Sequence, residues 1–116
     1  MCCINWSIFG FKKKNELDIN EAVGRLANLP EAKLIDVREP DEYRRGHIPG
    51  SMNCSVRDLA PVTELIQDKN TPIYVYCQSG ARSGRAKKLL EQAGYTNVTN
   101  LGGIMSYKGD LDKNFF

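Results

Sequence analysis

A cysteine and an arginine, Cys77 and Arg82, stand five positions apart in this chain of 116 residues. The residues between them are small or polar and carry no charge: Gln78, Ser79, Gly80 and Ala81. A cysteine acts as a nucleophile in its thiolate form, and nearby positive charge favours that form. The spacing therefore predicts a cysteine nucleophile that reacts with an anion or becomes part of one.

The elements around Cys77 are suited to exposing and activating its sulfur. Residues 73–76 (IYVY) predict a β-strand, and residues 82–93 have the apolar spacing of a helix that Gly94 ends. Open α/β sheets bind ligands at the C-terminal ends of their strands. The first N–H groups of the helix lack partners inside it, so they favour negative charge and lower the thiol pKa from its free value of about 8.5.

A buried structural cysteine is the alternative interpretation of Cys77, because free cysteines are often buried and unreactive. The glycine and serine after the strand would then form only a turn. The patterns elsewhere in the chain favour the reactive cysteine.

The composition is typical of one soluble globular domain, with 26% charged and 41% hydrophobic residues. A net charge of +2 is too small to indicate a nucleic-acid partner. The four cysteines, at positions 2, 3, 54 and 77, form no C-x-x-C pair and accompany a single histidine, so we expect no metal site and no cofactor. Since no secretory signal is evident, we expect reduced thiols in the cytoplasm.

The first 14 residues form an extension that is largely apolar up to Gly10 and basic at residues 12–14. Its apolar part is far shorter than the ~20 residues that a membrane span requires. Acylation of Cys2 and Cys3, together with the lysines, would hold it on an anionic membrane. We favour a segment that packs on the domain or frays, and membrane association through residues 1–14 is the less favoured hypothesis.

Strands and helices alternate along the rest of the chain. Besides the strand before Cys77, short strands are expected at 16–19, 33–37, 51–54 and 97–101. Helices are expected from an N-cap at Asn20 to near Pro30, from Pro40 to near Gly46, within 56–67 and over 82–93, with a short one after a turn at Gly102 and Gly103. This alternation predicts a parallel sheet covered by helices on both faces.

Four motifs together resemble a single-domain rhodanese module, a sulfurtransferase family. They are LIDVRE at residues 34–39, GHIPGS at 46–51, CQSGARS at 77–83 and GGI at 102–104. The resemblance implies an α/β fold of three layers, α/β/α, with a central five-stranded parallel sheet. It places the domain at residues 15–110, between the N-terminal extension 1–14 and a C-terminal tail 111–116.

The resemblance also implies the chemistry, which is transfer of a sulfane sulfur atom through a cysteine persulfide. The catalytic cysteine is Cys77. The residues expected to bind the substrate and cradle the persulfide follow it: Gln78, Ser79, Gly80, Ala81 and Arg82. By the same resemblance, Asp36 and Arg38 belong to a structural motif near the site. Ser83 is expected to cap the helix or bond to the loop.

The charged residues near these motifs have structural alternatives. Arg82 is suited to binding donor anions and equally to pairing with Asp36 or Glu39, and we favour the structural role together with a partial role in anion binding. Arg38 and Glu42, four residues apart, have the spacing of an ion pair on a helix surface.

Two further residues invite a catalytic interpretation that we do not favour. His47 lies in a turn pattern, where we expect it to form hydrogen bonds and not to activate Cys77. Cys54 is expected in the core. A relay in which Cys54 resolves the persulfide is the alternative, and a Cys54→Ser variant tests it.

The predicted reaction has two steps. The Cys77 thiolate takes the outer sulfur of a donor such as thiosulfate, and cyanide or a thiol then accepts it. Small sulfur-containing anions are the expected partners, and a protein thiol is an alternative acceptor.

Two other functions compete with this prediction. Cysteine phosphatases and arsenate reductases place five residues between cysteine and arginine, whereas Cys77 and Arg82 enclose four, a smaller loop that suits a sulfur atom better than phosphate. A rhodanese-like module that binds proteins or carries sulfur without enzymatic turnover is the second alternative. Such modules often lack the cysteine, which this chain has.

Overall fold

The chain folds around a parallel sheet of short strands. A computed structural model describes residues 18–113. The first five elements are α1 (Ile19–Leu26), β1 (Lys33–Asp36), α2 (Pro40–Arg45), β2 (Met52–Asn53) and α3 (Ala60–Leu65). The remaining elements are β3 (Ile73–Cys77), α4 (Ala81–Gln92), β4 (Val98–Gly103) and a 3₁₀ turn (Ile104–Ser106).

The strands lie in the order β2-β1-β3-β4, and every neighbouring pair is parallel. The register aligns Asp36 of β1 with Tyr76 of β3, and Cys77 with Gly103 of β4. The C-terminal ends of β1, β3 and β4 therefore meet at one edge of the sheet. This edge is where parallel α/β sheets bind their ligands.

Helices cover both faces of the sheet because buried side chains alternate along the strands. On one face, strand residues pack with residues of α3 and α4: Ile35, Ile73, Val75, Cys77, Val62, Ala86 and Leu90. On the other face, strand residues pack with α1: Leu34, Tyr76, Leu101, Ile19 and Ala22. Burying one such aliphatic side chain contributes roughly 1.5–3 kcal/mol. The alternation directs the Cys77 side chain toward the face that α4 covers.

Side chains at the helix starts satisfy N–H groups that have no partner within the helix. Asp18, and not the predicted Asn20, caps α1, and its side-chain oxygen accepts the Asn20 N–H at 2.9 Å. The Asn20 side chain instead donates to the Ser106 carbonyl at 3.0 Å, which ties α1 to the 3₁₀ turn. At the start of α2, the Glu42 carboxylate accepts the Glu39 N–H at 2.9 Å in a capping box.

Several elements differ in extent from the predictions. Residues 16 and 17 of the predicted strand 16–19 lie outside the described residues, and Ile19 begins a helix. Within 56–67 only Ala60–Leu65 is helical, and Pro61 occupies its first turn, where a missing N–H costs no hydrogen bond. Gly102 and Gly103 end β4 and do not form a separate turn. The resemblance implied five strands, and residues 18–113 contain four.

The end of the described chain is bound to the domain by one antiparallel bridge. The His47 N–H donates to the Asp112 carbonyl at 2.9 Å, and the Asp112 N–H donates to the His47 carbonyl at 2.8 Å. The predicted extension, residues 1–14, lies outside the described residues. Within residues 18–113, no helix has the length and apolar character needed to cross a bilayer.

Candidate active site

The loop after β3 wraps around the sulfur of Cys77. Cys77 is 1% exposed, whereas Gln78 and Ser79 are exposed. Gly80 has a φ of +115°, which glycine adopts without the steric cost that other residues incur. The Gly80 N–H donates to the Cys77 Sγ at 3.0 Å. The loop therefore holds a nearly covered sulfur beside a backbone hydrogen-bond donor.

Ser83, in the first turn of α4, brings a hydroxyl to the same sulfur. Its side chain is fully buried, and its Oγ lies 3.4 Å from the Cys77 Sγ. Burial by itself raises the pKa of the Cys77 thiol, but hydrogen bonds from the Ser83 side chain and from the N–H groups of Ser83, Gly80 and Ser79 outweigh it. The thiol pKa therefore lies below its ordinary value. The site favours the thiolate, which is the reactive form.

Arg82 is held by an acidic side chain of α2. Its Nη1 and Nη2 donate to the two carboxylate oxygens of Glu42 at 2.7 and 3.0 Å. This pairing lowers the pKa of Glu42 to about 2 and raises that of Arg82. The prediction that Asp36 or Glu39 would be the partner is wrong, because both of those carboxylates bind other groups. The ion pair fastens the start of α4 to α2.

Asp36 and Arg38 form a buried ion pair at the end of β1. The Arg38 Nε and Nη2 donate to the Asp36 carboxylate at 3.0 and 2.7 Å, and Nη2 also donates to the Gly46 carbonyl at 2.8 Å. Burial lowers the pKa of Arg38, but Asp36 outweighs this effect and raises it. The predicted surface pair between Arg38 and Glu42 is wrong, because Arg38 is 5% exposed and points at Asp36. This pair fixes the β1–α2 connection.

The end of β4 supports the cysteine loop, a feature that the sequence prediction missed. A Cβ placed on Gly103 would lie 2.2 Å from the Gln78 carbonyl oxygen, so only glycine fits there. The Asn100 Oδ1 accepts the Ser83 hydroxyl at 2.7 Å and the Gly102 N–H at 2.8 Å. An asparagine two residues before a glycine is typical of a turn in which the side chain binds the backbone. That signal would have identified Asn100.

His47 and Cys54 have the structural contacts that were predicted. The buried His47 ring stacks on Tyr43 with centroids 3.6 Å apart, and its Nδ1 donates to the Tyr43 carbonyl at 2.8 Å. The buried Cys54 thiol donates to the Asp58 carbonyl at 3.3 Å, and burial raises its pKa. Burial raises the pKa of both thiols, but only at Cys77 do the hydrogen bonds outweigh it, so the net shifts of the two pKa values are opposite.

The comparison with known proteins decides the family, since a model of the rhodanese-like domain matches residues 19–110. The chain belongs to the rhodanese-like family. It is 39% identical to the thiosulfate sulfurtransferase PspE of Escherichia coli over 60% of this chain and 68% of that protein. It is 37% identical to a sulfurtransferase of Allochromatium vinosum over 80% of this chain and 87% of that protein. These matches confirm the resemblance noted in the sequence.

The solved structures agree with the rhodanese-like fold. A rhodanese with anions from E. coli superposes with a TM-score of 0.67 and 34% identity, covering 72% of this chain and 99% of that one. A protein from Anabaena superposes with a TM-score of 0.74 and 30% identity, covering 83% of this chain and 80% of that one. The parallel sheet and its helices are therefore those of the family.

The rhodanese-like domain brings most of the predicted site residues to one edge of the sheet. Cys77, Gly80 and Ser83 meet at the sulfur, while Arg82 faces Glu42. Successive N–H groups of such a loop form a concave nest that binds anions. Within the described part of the chain, no group of three His, Cys, Asp or Glu side chains is placed to hold a metal ion. The arrangement favours the thiolate form of Cys77 and places backbone N–H groups where they can bind negative charge.

Proposed function

We propose that the protein is a sulfurtransferase that moves a sulfane sulfur atom from a donor such as thiosulfate to a thiophilic acceptor through a persulfide on Cys77. The observation that carries this proposal is the buried Cys77 sulfur at the end of β3, with the Gly80 N–H at 3.0 Å and the Ser83 hydroxyl at 3.4 Å. Relatives named thiosulfate sulfurtransferase and sulfurtransferase support the same class of reaction.

In the first step, the Cys77 thiolate attacks the outer sulfur of thiosulfate. A bond forms between the Cys77 sulfur and the outer sulfur, the sulfur–sulfur bond of thiosulfate breaks, and sulfite leaves with the electron pair. A thiolate needs no general base, and the lowered pKa of the Cys77 thiol favours that form. The total charge is conserved, since a thiolate and a dianion give an anionic persulfide and a dianion.

The persulfide anion is held by the loop after Cys77. We assign this binding to the backbone of the residues that follow the cysteine: Gln78, Ser79, Gly80, Ala81 and Arg82. The helix α4 begins at Ala81, and its N-terminal N–H groups favour negative charge. Arg82 contributes mainly by fastening this helix through Glu42. Asp36 and Arg38 hold the neighbouring strand end, and Ser83 donates its hydroxyl near the sulfur.

In the second step, an acceptor such as cyanide or a thiolate attacks the outer sulfur of the persulfide. The persulfide bond breaks and the Cys77 thiolate is restored, so atoms and charge balance again. A covalent enzyme intermediate between two substrates predicts ping-pong kinetics.

Cys54 and Cys77 are both free thiols, which supports a reducing compartment such as the cytoplasm.

The size of the loop supports sulfur over phosphate as the transferred group. Only four residues separate Cys77 from Arg82, and the Arg82 guanidinium is bound by both oxygens of Glu42. A phosphate or arsenate would require a wide loop with an arginine available to its oxygens. We therefore favour sulfur transfer over phosphatase or arsenate reductase activity.

The test is steady-state transfer of sulfur from thiosulfate to cyanide, measured as thiocyanate. We expect turnover by the wild type and by Cys54→Ser, and none by Cys77→Ser. Cys54→Ser is the matched control, because it removes the other described thiol without touching the loop. Turnover by Cys77→Ser equal to that of the wild type would overturn the proposal.

A non-enzymatic persulfide carrier is the alternative, and the intact mass of the protein after incubation with thiosulfate alone, measured beside the transfer assay, separates it. A carrier takes one sulfur atom per molecule and turns over little with cyanide, but it passes the sulfur to a protein thiol. Loading without turnover would therefore identify the carrier. The absence of loading on folded, reduced protein would favour a module that only binds proteins.

A further inference from the structure

The hydroxyl of Ser83 has one proton and four acceptors around it. Their distances from Oγ are 2.7 Å for Asn100 Oδ1, 3.1 Å for the Gly80 carbonyl, and 3.4 Å for both the Cys77 Sγ and the Gly102 carbonyl. A hydroxyl donates one hydrogen bond at a time, so these are alternative states of one group. The shortest of the four contacts is to Asn100.

The orientation of the Asn100 amide is fixed by the backbone of β4 and of the loop. Its Oδ1 accepts the Gly102 N–H at 2.8 Å, and its Nδ2 donates to the Gly80 carbonyl at 3.3 Å. A backbone N–H requires an oxygen as its partner, so Oδ1 is the atom that faces Ser83. The Gly80 carbonyl also accepts the Gly84 N–H at 3.0 Å, which leaves it little capacity for the hydroxyl.

We propose that Asn100 is a positioning residue of the Cys77 site. Its side-chain oxygen accepts the hydrogen bond of the Ser83 hydroxyl while the Cys77 sulfur is uncharged. When negative charge develops on the sulfur, the hydroxyl donates to the sulfur instead. This inference rests on the proposed sulfur transfer. With a neutral thiol or persulfide Sγ, the hydroxyl donates to Asn100. When the outer sulfur leaves, Sγ becomes a thiolate and the hydroxyl turns toward it. No covalent bond to hydrogen breaks.

This arrangement gives a hydrogen bond that is strongest when the charge forms. Donors that strengthen only as charge develops accelerate a reaction, whereas donors that bind both states equally do not. Asn100 prevents Ser83 from binding the sulfur permanently. A sulfur with a permanently lowered pKa would also be a weaker nucleophile.

The test is the pH dependence of Cys77 alkylation by iodoacetamide, followed by the mass of the Cys77 peptide and carried out without any sulfur donor. We expect Ser83→Ala to raise the Cys77 pKa, because the thiolate loses a donor. We expect Asn100→Ala to lower it by about half a unit, because a competing acceptor is lost. The double variant should match Ser83→Ala, since Asn100 acts only through Ser83.

A rise or no change in the pKa with Asn100→Ala would overturn the inference, as would the same fall in a Ser83→Ala background. Asn100→Asp serves if the alanine variant does not fold, because it keeps the accepting oxygen. We expect Asn100→Asp to raise the Cys77 pKa, and to raise it more when Ser83 is present than in the Ser83→Ala background. An equal rise in both backgrounds would overturn the inference. Since these titrations require no transfer, their failure is distinguishable from failure of the proposed function.

Discussion

Replacing Glu42 with glutamine removes the negative charge from the pair that joins α2 to the start of α4. In the native protein, both carboxylate oxygens of Glu42 accept from Arg82, at 2.7 and 3.0 Å. Glutamine keeps the accepting oxygen that binds the Glu39 N–H in the capping box. The Glu42→Gln variant therefore removes the ion pair with little change in shape.

The lowered pKa of Glu42 sets the size of the effect. The pKa falls from 4.5 to about 2, chiefly through hydrogen bonds from Arg82. At about 1.4 kcal/mol for each unit of pKa, the upper limit is about 3.5 kcal/mol. The side chains of Arg82 and Glu42 are 36% and 24% exposed, so solvent screens the pair. We expect the free energy of unfolding to fall by about 1–2 kcal/mol at pH 7.

Urea unfolding of the wild type and Glu42→Gln between pH 7 and pH 2 measures this effect. Folding lowers the pKa of Glu42, so the stabilisation by the ion pair is complete above about pH 4.5 and disappears as the pH falls toward 2. The difference between the two proteins should shrink over that interval. Glu91→Gln is the control, since it breaks an exposed pair with Lys87 and should cost less than about 0.5 kcal/mol. A pH-independent difference, or one equal to the control, would show that the Glu42 carboxylate does not stabilise the fold through Arg82.

Two further substitutions probe the buried parts of the site. Arg38→Met leaves Asp36 buried without its cation, so we expect a loss of about 3–5 kcal/mol in urea unfolding, and a loss below about 1 kcal/mol would contradict the buried pair. Gly103→Ala places a Cβ against the Gln78 carbonyl and must displace the loop, so we expect kcat/KM for sulfur transfer to fall on the order of 100-fold. Gly24→Ala, at an open helix position, is its control and should leave transfer unchanged, whereas equal activity of both variants would contradict the close contact.

The strand, loop and helix around Cys77 could be predicted from the sequence because their signals are local. The apolar run before Cys77 and the periodic residues after Ala81 define β3 and α4 to within one residue of the predicted bounds. The lowered thiol pKa follows from the same local arrangement, because its donors lie within six residues of the sulfur. The family motifs are equally local, and the comparisons confirm them.

The partner of Arg82 could not be predicted, because it depends on how α2 packs beside α4. Residues 36–42 contain four carboxylates: Asp36, Glu39, Asp41 and Glu42. Only the rotation of α2 decides that Glu42 faces Arg82. Arg38 precedes α2 and pairs with the buried Asp36, so the predicted surface pair with Glu42 does not form.

The contribution of Asn100 was missed because it arises from the pairing of β4 with β3. An irregularity in the register shifts the pairing between Val75 and Tyr76, so that Asn100 is opposite Val75 and Gly102 is opposite Tyr76. The extra residue in β4 lets the Asn100 side chain bind the Gly102 N–H. The asparagine two residues before a glycine signals the local turn, but the bulge depends on the neighbouring strand, so β4 alone does not show that Asn100 reaches Ser83.

Sulfur transfer through a Cys77 persulfide is tested most directly by the intact mass of the reduced protein after incubation with thiosulfate alone, followed by peptide mapping. We predict a gain of one sulfur atom, located on Cys77, in the wild type and in Cys54→Ser. We predict no gain in Cys77→Ser. A sulfur atom found on another cysteine while Cys77 stays unmodified, or a gain that survives in Cys77→Ser, would show that Cys77 does not carry the sulfur.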